Sequence, residues 1–343
     1  MASTIRDVAR AAGVSVATVS RALNDASKVL PETRQRILDA AAALRFVPSG
    51  AARSLSLRST QTIGAMLPDL HGEYFSELIR GIDLAARARG LHLLLSSSHG
   101  DADEAAAALR AMNGRVDGLL LMSPHVDDDF LRGNVPEHIP VVLVNTRLAG
   151  RSHPTFRIDN QGGAKLMIEH LLASGRRRIA MLSGPASNPE AVARQRGYTE
   201  TVEAAGFKPL VLPGDFTEAS GWRAGKEILL LSQRPDAVFC CNDMSAIGLL
   251  AALREGGVQV PRDIAVAGFD DIPIARYMNP ALTTMRVPMV GLGTLAVEAL
   301  ATHISAAGST PVLDQLLQVE LIQRASTAPL PVPIRPPPDR KSH

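Results

Sequence analysis

The sequence predicts an α/β protein made of a small all-α head followed by a larger body of parallel β-sheets in two similar lobes. Three observations carry this reading. The chain opens on two short helical patterns separated by a glycine; after a polar stretch it alternates apolar runs of strand length with amphipathic helices; and that alternation then occurs a second time.

In TIRDVARAAGVSVATVSRALN, Thr4 is placed to cap a helix starting at Ile5, with Asp7 three positions on completing a capping-box-like start. Ile5, Val8, Ala9 and Ala12 recur at helical spacing, Gly13 can supply a left-handed C-cap, and Ser15 can cap the next helix. There Val19 and Leu23 share a face, which must pack on Val8 and on a third helix, PETRQRILDAAAALRF, through Ile37, Leu38, Ala41 and Leu44. Val16, Ala17 and Arg21 face the other way. Small residues in the first turn and an arginine one turn later suit a helix that meets base edges in a DNA major groove. Arg21 can make a bidentate contact to guanine, while Val16 and Ala17 can lie against thymine methyls. The plain alternative is a helical hairpin with no nucleic acid.

This segment resembles the helix-turn-helix headpiece of the LacI/GalR family of bacterial transcription regulators, whose signature approaches TIxDVAxxAGVSxxTVSRxLN. The resemblance implies DNA contacts from Thr4, Ser15, Val16, Ala17, Thr18, Ser20, Arg21 and Asn24. One departure is Leu30 ahead of Pro31, where the family carries a Ser or Thr cap; Pro31 still suits a first helical position, so slight fraying is expected. The stretch VPSGAARSLSLRSTQT then reads as a linker. By resemblance, residues 49–57 become a hinge helix in the minor groove, with Ala52 near the groove floor and Leu55 wedged into a central base step of a pseudo-palindromic double-stranded operator, by family habit a CG step. So short a helix is expected to form only when DNA and a partner hinge bury it. The tail LPVPIRPPPDRKSH is rich in proline and has no leucine heptad, so a homodimer is expected and a coiled-coil tetramer is not.

In the body, TIGAMLPD, FSELIRGIDLAARARG and LHLLLSSS give strand, helix and strand, and RIAMLSGP, EAVARQRGYTETVEAAG and FKPLVLPG repeat them. VDGLLLMSP corresponds to PDAVFCCND, and IPVVLVNT to DIAVAGFDD. Apolar strands alternating with amphipathic helices imply parallel sheets covered on both faces. Two such lobes make the two-lobed fold of periplasmic sugar-binding proteins. The family resemblance continues to VELIQRAST, and it implies a headpiece over 1–47, hinge helix and linker over 48–61, a first lobe over 62–160 plus 290–328, a second over 161–289, and a disordered tail over 329–343.

Ligands of open α/β sheets bind beyond the carboxyl ends of the strands. Those ends carry Pro68 and Asp69, Ser123, Asn145 to Arg147, Ser183, Asn242 and Asp243, and Asp270. Carboxylates, amides and arginine with few aromatics suit a polyhydroxylated small molecule held by many hydrogen bonds. The resemblance implies that Arg194, in RQRGY, clamps effector hydroxyls or a carboxylate. It also implies that Asn242, Asp270 and Phe216 hydrogen-bond or stack on the effector, with Asp159 and Tyr74 as secondary candidates. Each has a bland alternative: Asp159 could simply cap the helix of NQGGAKLMIEHLL, and Asp270 and Asp271 could cap a turn. Arg176 to Arg178 read as a solvated helix end. HGEYF, which holds Tyr74, departs from the family's usual NPFF, so the resemblance is weakest for contacts from that loop. Sugars are the commonest effectors in the family; purines, nucleosides and partner proteins also occur.

Composition closes off other classes. The 343 residues are 46% hydrophobic, enough for sizeable cores, and no apolar run is long enough to span a bilayer. With no secretory signal pattern the expectation is a cytoplasmic protein. Residues 1–59 hold nine Lys and Arg against four acids, an excess of five on the head, whereas the whole chain is only +2. A basic head on a mildly acidic body points to a polyanion met by the head alone. Cys240 and Cys241 are adjacent in an apolar strand and read as small buried hydrophobes, and no Cys or His spacing predicts a metal. No cofactor is implied. A sugar-binding receptor without a DNA role would share the body but not the head. A sugar-acting enzyme would need facing acid and base carboxylates, which adjacent Asp270 and Asp271 do not supply, and no GxSxG, P-loop or dinucleotide motif is present.

Overall fold

A computed structural model describes residues 3–24, 29–47, 59–123, 126–146, 153–305 and 313–328. The expected hinge with Ala52 and Leu55, Arg147, the tail and the Asn24 side chain lie outside these residues. The chain divides into two units: residues 1–62 with 114–117, and the rest.

The head is three helices, α1 (Ile5–Ala12), α2 (Val16–Asn24) and α3 (Pro31–Ala43). Asp7 accepts hydrogen bonds from the Thr4 amide (3.0 Å) and hydroxyl (2.7 Å), fixing the start of α1. Gly13 ends it at φ 64°, and the Ser15 hydroxyl accepts the Thr18 amide to start α2. Val8, Ala9, Ala12, Val19, Ala22, Ile37 and Ala41 form a small core, with Leu23 and Leu44 packed against it. Leu38, expected inside, is only half-buried, and Ala22, not expected, is fully enclosed. The same unit holds an anchor for the segment after the linker: Asp117 accepts hydrogen bonds from the Ser59 hydroxyl, the Thr60 amide and hydroxyl and the Gln61 amide, at 2.6–2.9 Å. Partial burial opposes the charge, but these donors hold the Asp117 carboxyl below its ordinary range.

The body contains two sheets. The first runs β11-β5-β4-β3-β1-β2, from β1 (Thr62–Leu67), β2 (His92–Ser97), β3 (Gly118–Leu121), β4 (Val141–Val144), β5 (Thr155–Ile158) and β11 (Asp314–Leu317), with β1, β3, β4, β5 and β11 paired in parallel. The second, β7-β6-β8-β9, is parallel throughout and is built from β6 (Ile179–Leu182), β7 (Leu210–Leu212), β8 (Ala237–Cys240) and β9 (Ala265–Ala267). The central strands β3, β4, β6 and β8 are buried at every position, as parallel strands covered on both faces must be. Cys240 and Cys241 are both fully buried and free, as their apolar setting predicted. After the second sheet, α11 (Met289–Ser305) returns to pack on β3, β4 and α4 (Glu73–Ala88).

A short antiparallel pair, β10 (Thr284–Arg286) with β12 (Glu320–Ile322), brings residues 324–327 back to the second sheet. There the Ser326 hydroxyl donates to the Val266 carbonyl (2.6 Å) and accepts from the Thr283 amide (2.8 Å), Thr327 meets Thr283, and Arg324 pairs with Asp271. One arginine departs from expectation. Arg176 is not solvated at a helix end but buried, its guanidinium donating to the carbonyls of Asp236 and Pro261.

Glycines set the closest helix contacts. Between α9 (Glu218–Leu230) and α10 (Asp243–Glu255), a β-carbon on Gly221 would overlap the Ser245 carbonyl and one on Gly248 the Glu218 carbonyl, both backbone atoms that cannot turn away. Gly248→Ala should therefore cost about 3 kcal/mol in urea unfolding, the upper part of the range for overpacking a dense core; Gly133→Ala, with open space around it, is the matched control.

Candidate functional site

The outward face of α2 presents Val16, Ala17 and Arg21, all exposed, on the side opposite buried Val19 and Ala22. Thr18 and Ser20 are half-buried, and Thr18 shares a 2.8 Å hydroxyl contact with Ser15 at the helix start. Arg21 Nε donates to the Ala17 carbonyl, which steers the guanidinium along the exposed first turns. Thr4 is occupied at the start of α1, so its hydroxyl hydrogen is already given to Asp7. Leu30 supplies no side-chain cap for α3, yet the helix begins at Pro31 as expected.

In the body, the strand ends of the two sheets converge on a cavity of about 270 Å³. The first lobe contributes Pro68, Asp69, Tyr74, Phe75 and Met122; the second contributes Asn188, Glu190, Arg194, Phe216, Asn242 and Asp270. Six of the sequence candidates, Asp69, Tyr74, Arg194, Phe216, Asn242 and Asp270, thus line one space. Ser123 lines a neighbouring pocket with Asn145, Thr146 and Asn160, and Glu190 borders both. Asp159 lines neither: its carboxylate accepts the Gly162 amide (2.9 Å) and caps α7 (Asn160–Ala173), the bland reading of that residue.

Arg194, on α8 (Pro189–Ala204), is 4% exposed and its charge is answered on every side. Nε donates to Asn160 Oδ1 (2.8 Å), Nη1 to the Cys241 carbonyl (2.5 Å), Nη2 faces Asp270 Oδ1 (3.3 Å), and the guanidinium lies 3.8 Å from the Phe269 ring centre. Burial pushes the Asp270 carboxyl up, Arg194 pulls it down and Glu190 raises it again, leaving it at about 7. Asp271, next in sequence, points elsewhere, to Arg286 (2.8 Å) and Arg324 (2.6 Å). The two carboxylates therefore do not face each other as an acid and base pair would.

Asn242 caps α10 through the Ser245 amide and donates to the Phe216 carbonyl (3.0 Å). Tyr74 accepts from Asn145 (3.2 Å), and burial drives its phenol well above the usual range, so it stays neutral. Asn145, Phe216, Asp270 and Asp271 all hold positive φ, between 48° and 111°. Backbone strain of this kind clusters where binding groups must be aimed.

Sequence reasoning missed Glu190 and Asn188. Asn188 caps α8 and Glu190 occupies its first turn, so in the sequence both look like ordinary helix-start residues. Only the fold shows them turned to the cavity.

A helix-turn-helix head with an outward arginine, joined to a two-lobed body with a polar cleft, defines a ligand-responsive DNA-binding regulator. Comparison with known proteins agrees. Residues 4–49 match the model of bacterial regulatory proteins of the lacI family, and residues 168–327 that of a periplasmic binding protein-like domain. The HTH-type transcriptional repressor PurR of Edwardsiella ictaluri (strain 93-146) is 35% identical over 95% of this chain and 97% of its own length. The lac repressor dimer bound to operator and the anti-inducer ONPF superposes with a TM-score of 0.85 at 28% identity, over 96% of this chain and all of that one. A complex of the transcriptional regulator CelR with cellobiose gives 0.70 at 31% identity, over 94% of this chain and 99% of that one. The chain belongs to the lacI family of bacterial regulatory proteins. It is a DNA-binding transcription regulator, in a family of regulators and not of enzymes. Among the described residues no helix is long and apolar enough to cross a membrane.

The geometry makes Arg194 a strut as well as a candidate ligand contact. Arg194→Ala would leave buried Asp270 without its counter-charge and Asn160 without its donor, so urea unfolding should show a loss of about 3–5 kcal/mol. Exposed Arg21→Ala should change stability by no more than about 0.5 kcal/mol.

Proposed function

We propose that this regulator is a repressor that works in the cytoplasm as a homodimer on a pseudo-palindromic operator, and that a small-molecule effector, a sugar, controls it from the cleft. The observation that carries the effector reading is the convergence of Asp69 and Tyr74 from one lobe with Arg194, Phe216, Asn242 and Asp270 from the other around one cavity. A ligand spanning both lobes favours their closed arrangement by as much as it prefers it, and so can bias the paired heads. The polar lining with aromatic and methionine faces matches a polyhydroxylated ring, and the cellobiose complex of a structural relative supports a sugar.

On the DNA side, the exposed face of α2 supports base readout by Arg21, with Val16 and Ala17 against thymine methyls. Ser15, Thr18, Ser20 and Asn24 sit on or beside the same helix and fit phosphate or base-edge contacts. Ala52 and Leu55 are assigned to the minor groove at a central CG step, where a leucine wedge opens the base stack.

The two functions should separate by mutation. Arg21→Ala should lose about 1–3 kcal/mol per half-site contact on operator and less on random DNA, while binding effector as wild type does. Leu55→Ala should likewise lose specific more than non-specific affinity, because the wedge acts only on an opened groove. Asp270→Asn, which keeps the shape of the side chain, should retain operator affinity without effector and lose the response to it. Operator titrations at fixed salt, paired with calorimetry using the responding sugar, check all three. Equal losses by Arg21→Ala on operator and random DNA, or an undiminished effector response in Asp270→Asn, would contradict the assignment.

A further inference from the structure

We infer that the cleft admits only ligands that carry no negative charge and that offer at least two O–H or N–H donors, so that phosphorylated and carboxylated compounds are excluded. The inference rests on the cavity being the effector site and concerns what chemistry it accepts. Among the described residues, six carboxylates line the cavity, from Asp69, Glu73, Glu190, Asp215, Glu218 and Asp270, against one guanidinium, Arg194. That guanidinium brings no surplus charge, because Asp270 already faces it and Asn160 and the Cys241 carbonyl take two of its donors.

Several of the acids are themselves occupied. Asp69 accepts the Leu70 and His71 amides, Glu73 the Ile274 amide, and Asp215 the Thr217 amide while pairing with Arg223. Glu190 and Asp270 differ. Glu190 Oε1 is buried without a hydrogen-bond partner of its own among the described residues, although Asn160 and Arg194 act on its carboxyl, and Asp270 Oδ1, on a residue 5% exposed, has only the 3.3 Å ion pair with Arg194 Nη2. A buried acceptor left short of donors costs free energy, so two such oxygens beside one cavity leave room for donors that arrive from outside. An incoming anion would instead be stripped of water beside two carboxylates that repel it. Burial pushes both of these carboxyls up, and the Glu190 charge adds to the rise at Asp270, the direction expected where the local field resists negative charge.

Two measurements on the full-length protein test this. In the first, ligand-free wild type is compared with Glu190→Gln in thermal unfolding: neutralising a buried carboxylate that has one oxygen unfilled and Asp270 beside it should raise the midpoint by about 2 °C or more. A variant no more stable than wild type overturns the inference whatever ligands bind. In the second, calorimetry with matched probes sets glucose, glucosamine, ribose and adenosine against glucose 6-phosphate, glucuronate, ribose 5-phosphate and AMP. Wherever a pair binds, the neutral or amino member should be at least a hundredfold tighter, and Glu190→Gln should weaken it tenfold or more while bringing its anionic counterpart closer. An anionic member binding within tenfold of its counterpart overturns the inference and leaves the effector cleft standing. Binding that neither Glu190→Gln nor Asp270→Asn alters would place the ligand elsewhere and overturn both.

Discussion

A guanidinium enclosed in protein must have its charge answered where it lies, and much of the body is arranged around doing this for Arg194. Asp270 supplies the counter-charge, Asn160 and the Cys241 carbonyl take the flanking donors, and Phe269 covers the face. The partners come from three separate elements. The positions of α7, of the end of β8 and of the turn after β9 are thus tied to one side chain on α8. The turn itself is held from behind, since Asp243 accepts the Ile272 amide and the Thr284 hydroxyl, and Asp271 takes Arg286 and Arg324. A cleft wall built this way is stiff, and stiffness lets a small ligand distinguish two arrangements of the lobes.

The parallel sheets explain why these groups meet at all. Because each strand of the second sheet enters from the same side, the residues after β6, β8 and β9 emerge on one edge, and the first sheet offers its own strand ends to the same cavity. Glycine at the tight helix contacts, Gly221 and Gly248 above all, lets the covering helices lie close enough to keep that edge in register.

Much of this was legible from residue order. The head was readable almost atom by atom, because Thr4, Asp7, Gly13 and Ser15 act on neighbours three or four positions away, and local chemistry leaves a local trace. The eight strands that lie within apolar runs were equally plain. Strands β5, β10, β11 and β12 were not, because polar residues break up their short runs. At the cleft, strand-end logic found Asp69, Asn242 and Asp270, while Arg194 and Phe216 needed the family pattern. Glu190 escaped both, since an acid in the first turn of a helix is the commonest sight in a sequence, and only tertiary packing turns it inward. Arg176 was misread for a related reason: three consecutive arginines look solvated, and the two carbonyls that bury the first lie about 60 and 85 positions along the chain.

The return of residues 324–327 to the second sheet bears on how the protein is made. Ser326 satisfies the Val266 carbonyl and the Thr283 amide, and Arg324 neutralises Asp271, so the inner edge of that lobe is finished by residues translated some forty to sixty positions after the strand they complete. A chain still on the ribosome, or one cut short before residue 324, holds a lobe whose Asp271 has Arg286 but not Arg324, with two bare backbone groups beside it. The lobe that supplies Arg194, Phe216, Asn242 and Asp270 to the cavity is therefore sealed last, and translation of nearly the full length becomes a precondition for a finished cleft.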